Sequence, residues 1–181
     1  MKISQKKNLS RYLLLAVVTL SIAGCEKDDA KPVDPLNEQD KNFAVDATYS
    51  NLAETRMGQL AMDKGANLSV REFGEMMVTE HTEAQDQLAL IAESLDILLP
   101  DTLATEQRVL HEQLSLLEDE AFDSAYISSQ ITAHREAQQI FQRQIDQGLN
   151  SRLHAYASNT LLKINLHLEN ALDLESEFVP E

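Results

Sequence analysis

Between Val70 and Leu95 the apolar residues fall at Val70, Phe73, Met77, Ala84, Leu88, Ile91 and Leu95. Steps of three and four place them on one stripe of an amphipathic helix. His81 lies in that stripe, four residues after Met77 and three before Ala84. A polar ring in an apolar seam needs a partner, because an unpaired buried polar group costs about 1–3 kcal/mol. The chain must therefore fold so that something polar meets His81. Three other helical segments each offer one inward group: Glu54, His134 and His167.

The same periodicity predicts four further helices. The first runs from about Glu38 to Lys64, with Phe43, Ala47, Ser50, Glu54, Met57 and Ala61 inward. Asn37, with Asp40 three residues on, is its expected N-cap, and Gly65 is expected to end it at positive φ. Ser69 and Glu72 read as a capping box for the His81 helix, which Pro100 limits at its far end. A shorter segment, about Leu103 to Glu118, carries Val109, Leu110, Leu114 and Leu117. The next, about Phe122 to Gln147, aligns Phe122, Tyr126, Gln130, His134, Ala137, Phe141 and Ile145, and the last, about Ser151 to Leu174, aligns Leu153, Ala157, Thr160, Ile164, His167, Ala171 and Leu174. No segment reads as a strand.

The turns repeat. Gly65-x-Asn67-x-x-Val70-Arg71-x-Phe73-Gly74 matches Gly148-x-Asn150-x-x-Leu153-His154-x-Tyr156-Ala157. Each is a helix stop followed by a cap and an apolar restart. The fold class expected is all-α: two copies of one helical hairpin joined by a shorter crossover helix, the ferritin-like version of the four-helix bundle.

That topology tests whether the polar groups meet. If the crossover spans the bundle, the two turns lie at opposite ends. With a rise of about 1.5 Å per residue, Glu54 and His167 fall ~17 and ~18 Å from the first turn, and His81 and His134 fall ~23 and ~24 Å from it. Four inward groups then share about one helical turn of height. One reading is a mononuclear site for a transition metal ion (Zn, Fe, Cu or Ni) held by His81, His134 and His167, with Glu54 as charge balance. The other is a hydrogen-bonded core cluster in which Glu54 accepts from one histidine and the rest pair with Tyr126, Ser50 or Thr160. His111 and His154 lie off the inner lines, and Glu80 is expected to be solvated. No Ser-His-Asp triad, P-loop or dinucleotide motif is present.

The N-terminal residues carry an address. Lys2, Lys6, Lys7 and Arg11 precede an apolar run, Tyr12 to Ile22, too short for an ordinary membrane span. Ser21-Ile22-Ala23-Gly24-Cys25 resembles the bacterial lipobox. The resemblance implies a signal peptide over 1–24 and lipidation of Cys25, the only cysteine in the chain. Several acyl chains would then give stable membrane anchoring. Glu26-Lys27-Asp28-Asp29 resembles a surface-export signal of Gram-negative lipoproteins, which implies an outer membrane lipoprotein displayed at the cell surface. Residues 25–36, with Pro32 and Pro35, read as an acidic flexible tether, 37–175 as the helical domain and 176–181 as a frayed tail.

The signal segment holds four of the 15 Lys and Arg and none of the 30 Asp and Glu, so the remaining chain carries 11 − 30 = −19. Such a surface repels nucleic acid and anionic headgroups. The expected membrane contact is through the lipid on Cys25, and any protein partner is unspecified.

Asn51-Leu-Ala-Glu54, Met77-Val-Thr-Glu-His81, Ala121-Phe-Asp-Ser-Ala-Tyr126, Ala133-His134-Arg135-Glu136 and His167-Leu168 resemble the domain of unknown function 4142 family. The resemblance implies a ferritin-like helical fold in a secreted bacterial envelope protein, and no settled activity. Di-iron members of the wider fold use Glu-x-x-His on two helices, a pattern this chain lacks, so ferroxidase or iron-storage chemistry is not implied. Two functions stay open: a lipid-anchored metal-binding bundle, or a non-enzymatic envelope scaffold.

Overall fold

The computed structural model describes residues 34–178. The expected signal peptide over 1–24, Cys25 and most of the expected tether lie outside the described residues, as do 179–181. Among the described residues there are five helices and no strand: α1 (Glu38–Lys64), α2 (Leu68–Glu93), α3 (Thr105–Ser115), α4 (Asp119–Gln147) and α5 (Ser151–Phe178). α1 and α2 form one hairpin, α4 and α5 the other. α1 also packs on α4 and α2 on α5, closing a four-helix bundle, while α3 lies against α1 and α4.

Local chemistry sets the helix ends. Asn37 Oδ1 accepts from Asp40 N–H (2.8 Å), and Asp40 Oδ2 accepts from Asn37 N–H (2.9 Å), a complete capping box. The expected Ser69/Glu72 box is not the cap of α2. Asn67 caps it instead, accepting from Ser69 N–H at 2.8 Å, so the helix begins at Leu68. Ser69 is already inside the helix, one residue past its first position, so its own amide is the one that Asn67 caps. Gly65 does not adopt positive φ as expected: its φ is −55°. Glycine is needed for space, since a Cβ there would lie 2.8 Å from the Ala61 carbonyl oxygen. Nor is the tether free throughout. Asp34 accepts from Ser151 N–H (3.2 Å) and Ser151 Oγ–H (2.9 Å), and Leu36 packs on the core. The segment expected to fray from 176 stays helical to Phe178.

Two buried carboxylates lock the hairpins together. Asp40 on α1 accepts from Gln144 Nε2 (2.6 Å) and from the amides of Leu149 and Asn150 (3.2 Å each) at the α4–α5 turn. Asp123 on α4 accepts from the amides of Ala66 (3.0 Å) and Asn67 (2.7 Å) at the α1–α2 turn. The displacement along the chain that takes Gly65 to Gly148 also takes Asp40 to Asp123 and Asn67 to Asn150. The two hairpins are thus related by pseudo-twofold symmetry, and their turns sit at opposite ends. The aromatic core repeats too. Phe73 meets Tyr126 edge-on at 6.2 Å, and Phe43 meets Tyr156 edge-on at 6.1 Å; the same displacement takes Phe73 to Tyr156 and Phe43 to Tyr126.

The apolar core has two parts. One, around Phe73, Met77, Phe122 and Tyr126, lies toward the α1–α2 turn, and the other, around Phe43, Leu88, Phe141 and Tyr156, lies toward the α4–α5 turn. Buried polar residues, Asn51, Glu54, His81, Gln130, His134 and His167, occupy the level between them. Within the first hairpin the backbones approach closely: a Cβ on Gly58 would lie 2.7 Å from the Gly74 carbonyl oxygen.

Asp123→Ala strands two amides, so it should lower unfolding free energy by about 1–3 kcal/mol in urea denaturation. Asp40→Ala should do the same, and the double variant should be additive to within about 0.5 kcal/mol, because the ties lie at opposite ends of the bundle.

Candidate metal centre

Heptad-like spacing brings three imidazoles from three helices to one point: His81 from α2, His134 from α4 and His167 from α5. Their ring centroids are 5.4–5.9 Å apart pairwise. One ring nitrogen from each lies within 4.8 Å of the others, and all three residues are buried. Small side-chain rotations would close that spacing onto a single ion.

Two rings are hydrogen-bonded from behind, and the third faces a carboxylate. His81 Nδ1 lies 3.1 Å from Asn51 Oδ1, so Nδ1–H donates to the amide carbonyl and Nε2 keeps its lone pair. His134 Nδ1 lies 2.8 Å from the Gln130 backbone oxygen, which fixes the same tautomer. His167 Nε2 lies 3.4 Å from Glu80 Oε2, an electrostatic contact without hydrogen-bond geometry that favours a proton on Nε2 and a lone pair on Nδ1. Glu80 is itself anchored by Lys163 Nζ at 3.0 Å. Back-side pairing to a carbonyl, a carboxylate or an amide is how metal-ligating histidines are oriented. The front nitrogens, His81 Nε2, His134 Nε2 and His167 Nδ1, have no hydrogen-bond partner in the protein. Three buried lone pairs converging without a donor are a costly core and a ready ligand set.

Electrostatics favours the neutral rings. Burial, then the neighbouring His134 and His167, pushes His81 well below the usual histidine range. Burial and His134 lower His167 to about 4, against the opposing pull of Glu80. Neutral imidazole is the form that binds metal.

Glu54 is buried on α1 but lies outside the group of three. Burial raises its pKa, while His134 and the nearby Gln130 side chain hold it down. Its Oε2 has no hydrogen-bond partner in the protein. Tyr126 stands beside it, its hydroxyl also unpartnered and held protonated by burial and by Glu54. None of Tyr126, Ser50 and Thr160 is the direct partner of a histidine. Ser50 lines a surface cavity with Glu54, and Thr160 adjoins the Tyr156 hydroxyl, which accepts from Asn51 Nδ2 at 3.1 Å. Thr160 therefore acts two steps away, through Tyr156 and Asn51. His154 is exposed and His111 half-buried, and neither joins the cluster.

Sequence reasoning missed Asn51, Glu80 and Lys163. Asn51 had a signal: the hairpin repeat displaces it onto His134, so the two occupy equivalent inward positions. Glu80 had none, since it adjoins His81 in sequence yet serves His167 on another helix.

Fold and site define an all-α four-helix bundle with a buried three-histidine cluster. The family model described as Domain of unknown function (DUF4142) matches residues 25–174, and the chain belongs to that family. Comparison with curated proteins and with solved structures found no match.

The pH response of the metal-free protein follows. His81 and His167 titrate lower folded than unfolded, so their contribution is complete above about 6.5 and is lost as pH falls toward about 4. Glu54 titrates higher folded than unfolded, so its burial is cheapest at low pH and destabilises as pH rises through its folded value. Glu54→Gln should therefore raise the apo melting temperature at pH 7, with the gain shrinking as pH approaches 4. Calorimetry across that range checks both signs.

Proposed function

We propose that this protein is a lipid-anchored envelope protein that holds one transition metal ion between His81, His134 and His167. The observation that carries the reading is the set of three front nitrogens without a protein partner, with His81 and His134 fixed from behind by Asn51 and the Gln130 carbonyl and the Glu80 carboxylate 3.4 Å from His167 Nε2. Three neutral nitrogen donors suit Zn, Cu, Ni or Fe, and leave room for a further ligand on the ion. Glu54, buried on α1 and acted on by His134, would supply negative charge beside the ion in addition to Glu80. A single buried carboxylate at the level of the histidines and no Glu-x-x-His speak against a bridged di-iron centre.

A folded-state ion stabilises by mass action, about 4 kcal/mol at a thousandfold excess over Kd. Zinc should therefore raise the melting temperature of the wild type relative to chelator. His134→Ala should abolish the increment, and so should His81→Ala and His167→Ala. A wild type whose melt ignores zinc, copper, nickel and iron would overturn the proposal.

The anchor is a separate part of the proposal. The lipobox resemblance at Cys25 supports membrane attachment by acyl chains, and Lys27-Asp28-Asp29 supports surface display at the outer membrane. No helix among the described residues is long and apolar enough to cross a membrane. The net charge of −19 beyond the signal segment, 11 − 30, is consistent with lipid-only membrane contact and no nucleic-acid partner. Cys25→Ala should shift the protein out of the membrane fraction or leave it as precursor on immunoblots. Normal processing and fractionation of that variant would contradict the anchor.

A further inference from the structure

The three imidazoles differ in what lies behind them. His81 ends on Asn51, which is 1% exposed, and His134 ends on a carbonyl of its own helix. Apolar clusters close the polar layer toward both ends of the bundle. His167 is buried too, yet neither of its ring nitrogens makes a hydrogen bond, so its ring is the one free to turn. Its Nε2 faces Glu80 Oε2 at 3.4 Å, and the Glu80 side chain is 30% exposed. A line of donors therefore runs from solvent through Glu80 and His167 to the cluster.

At its outer end, the seam between α2 and α5 holds a charge group. Lys163 Nζ on α5 lies 3.0 Å from Glu80 Oε2 and 3.7 Å from Glu83 Oε2 on α2. The displacement that takes Gly65 to Gly148 also takes Glu80 to Lys163, so equivalent positions of the two hairpins face each other with opposite charge. An ammonium between two carboxylates sits where a cation arriving from solvent would sit. It is a compact charge on a flexible stem, and half-exposed ion pairs hold weakly, so it is readily displaced. Two surface carboxylates alone would say little. The buried, unbonded Nε2 of His167 aimed at one of them makes them the outer end of a path.

We propose that Glu80 and Glu83 form an outer station for a divalent transition metal cation, which displaces Lys163 there and passes inward on His167 to the three-histidine site. This rests on the metal reading of that site and adds the route and the residues that set its rate. Glu80 receives the hydrated cation as Lys163 swings into solvent. The His167 ring then turns, and imidazole nitrogens replace water on the ion as it reaches His81 and His134.

A purely structural role gives the opposite sign for Lys163. If it only anchored Glu80, and Glu80 only oriented His167, its loss would loosen the site and slow capture. The test is stopped-flow mixing of the metal-free full chain, in detergent at low ionic strength, with Co2+, followed by the visible bands of histidine-ligated cobalt. Lys163→Met should speed capture at least about threefold, and Glu80→Gln should slow it at least about threefold. Both should reach the wild-type band intensity at saturation, which shows the fold and the inner site intact. Glu136→Gln, an exposed carboxylate on the α1–α4 side, should leave the rate unchanged. The route is overturned if Lys163→Met captures cobalt no faster than wild type, if Glu80→Gln captures it as fast, or if Glu136→Gln slows capture as much as Glu80→Gln. Full bands with unaltered rates defeat the route alone, whereas absence of the bands in the wild type defeats the metal reading and the route with it.

Discussion

Asp40 and Asp123 fix the register of the whole bundle. Each is fully buried, sits near the start of a long helix, and accepts the amides of the other hairpin's turn. A buried carboxylate is tolerated only when its oxygens are satisfied, so neither helix can slide by a residue without stranding a charge. Because the two ties are equivalent under the hairpin repeat, they clamp opposite ends of the bundle. The heights of all side chains between them follow. Three histidines on α2, α4 and α5 reach one level because their distances from the clamped turns are fixed by helical rise.

That level divides two apolar halves, each with its own edge-on Phe–Tyr pair. The pairs place their hydroxyls differently. Tyr156 is hydrogen-bonded to Asn51 and so supports His81, whereas Tyr126 is left beside Glu54. Repetition of the hairpin gives the scaffold, and departures from the repeat give the site. His134 is the counterpart of Asn51, and the positions equivalent to His81 and His167 are Ile164 on α5 and Ala84 on α2. The polar layer therefore has a face made by three imidazoles and a buried carboxylate, Glu54, beside His134 and Tyr126.

Much of this was legible in the sequence, for physical reasons. Helix periodicity and turn chemistry are local, so five helices, the two hairpins and the crossover follow from residue spacing. The meeting of the histidines is also legible, because rise per residue is constant. The details that failed depend on rotation about a helix axis. Ser50 and Asn51 differ by one residue, about 100° around α1, and that rotation gives Asn51 to His81 and Ser50 to the cavity. The link from Glu80 to His167 crosses between helices, and Gln130 serves His134 through its backbone, where side-chain identity carries no signal. Ser69 and Gly65 show the same limit at helix ends. Cap choice and steric clearance were decided by the neighbouring turn.

The central claim is that three imidazole nitrogens converge on one ion. X-ray absorption at the zinc edge, on the reconstituted full chain after removal of loose metal, tests it most directly. The account predicts one zinc per chain with a shell dominated by imidazole nitrogens at about 2.0–2.1 Å. An oxygen-dominated shell without imidazole scattering, or no zinc retained, would contradict it.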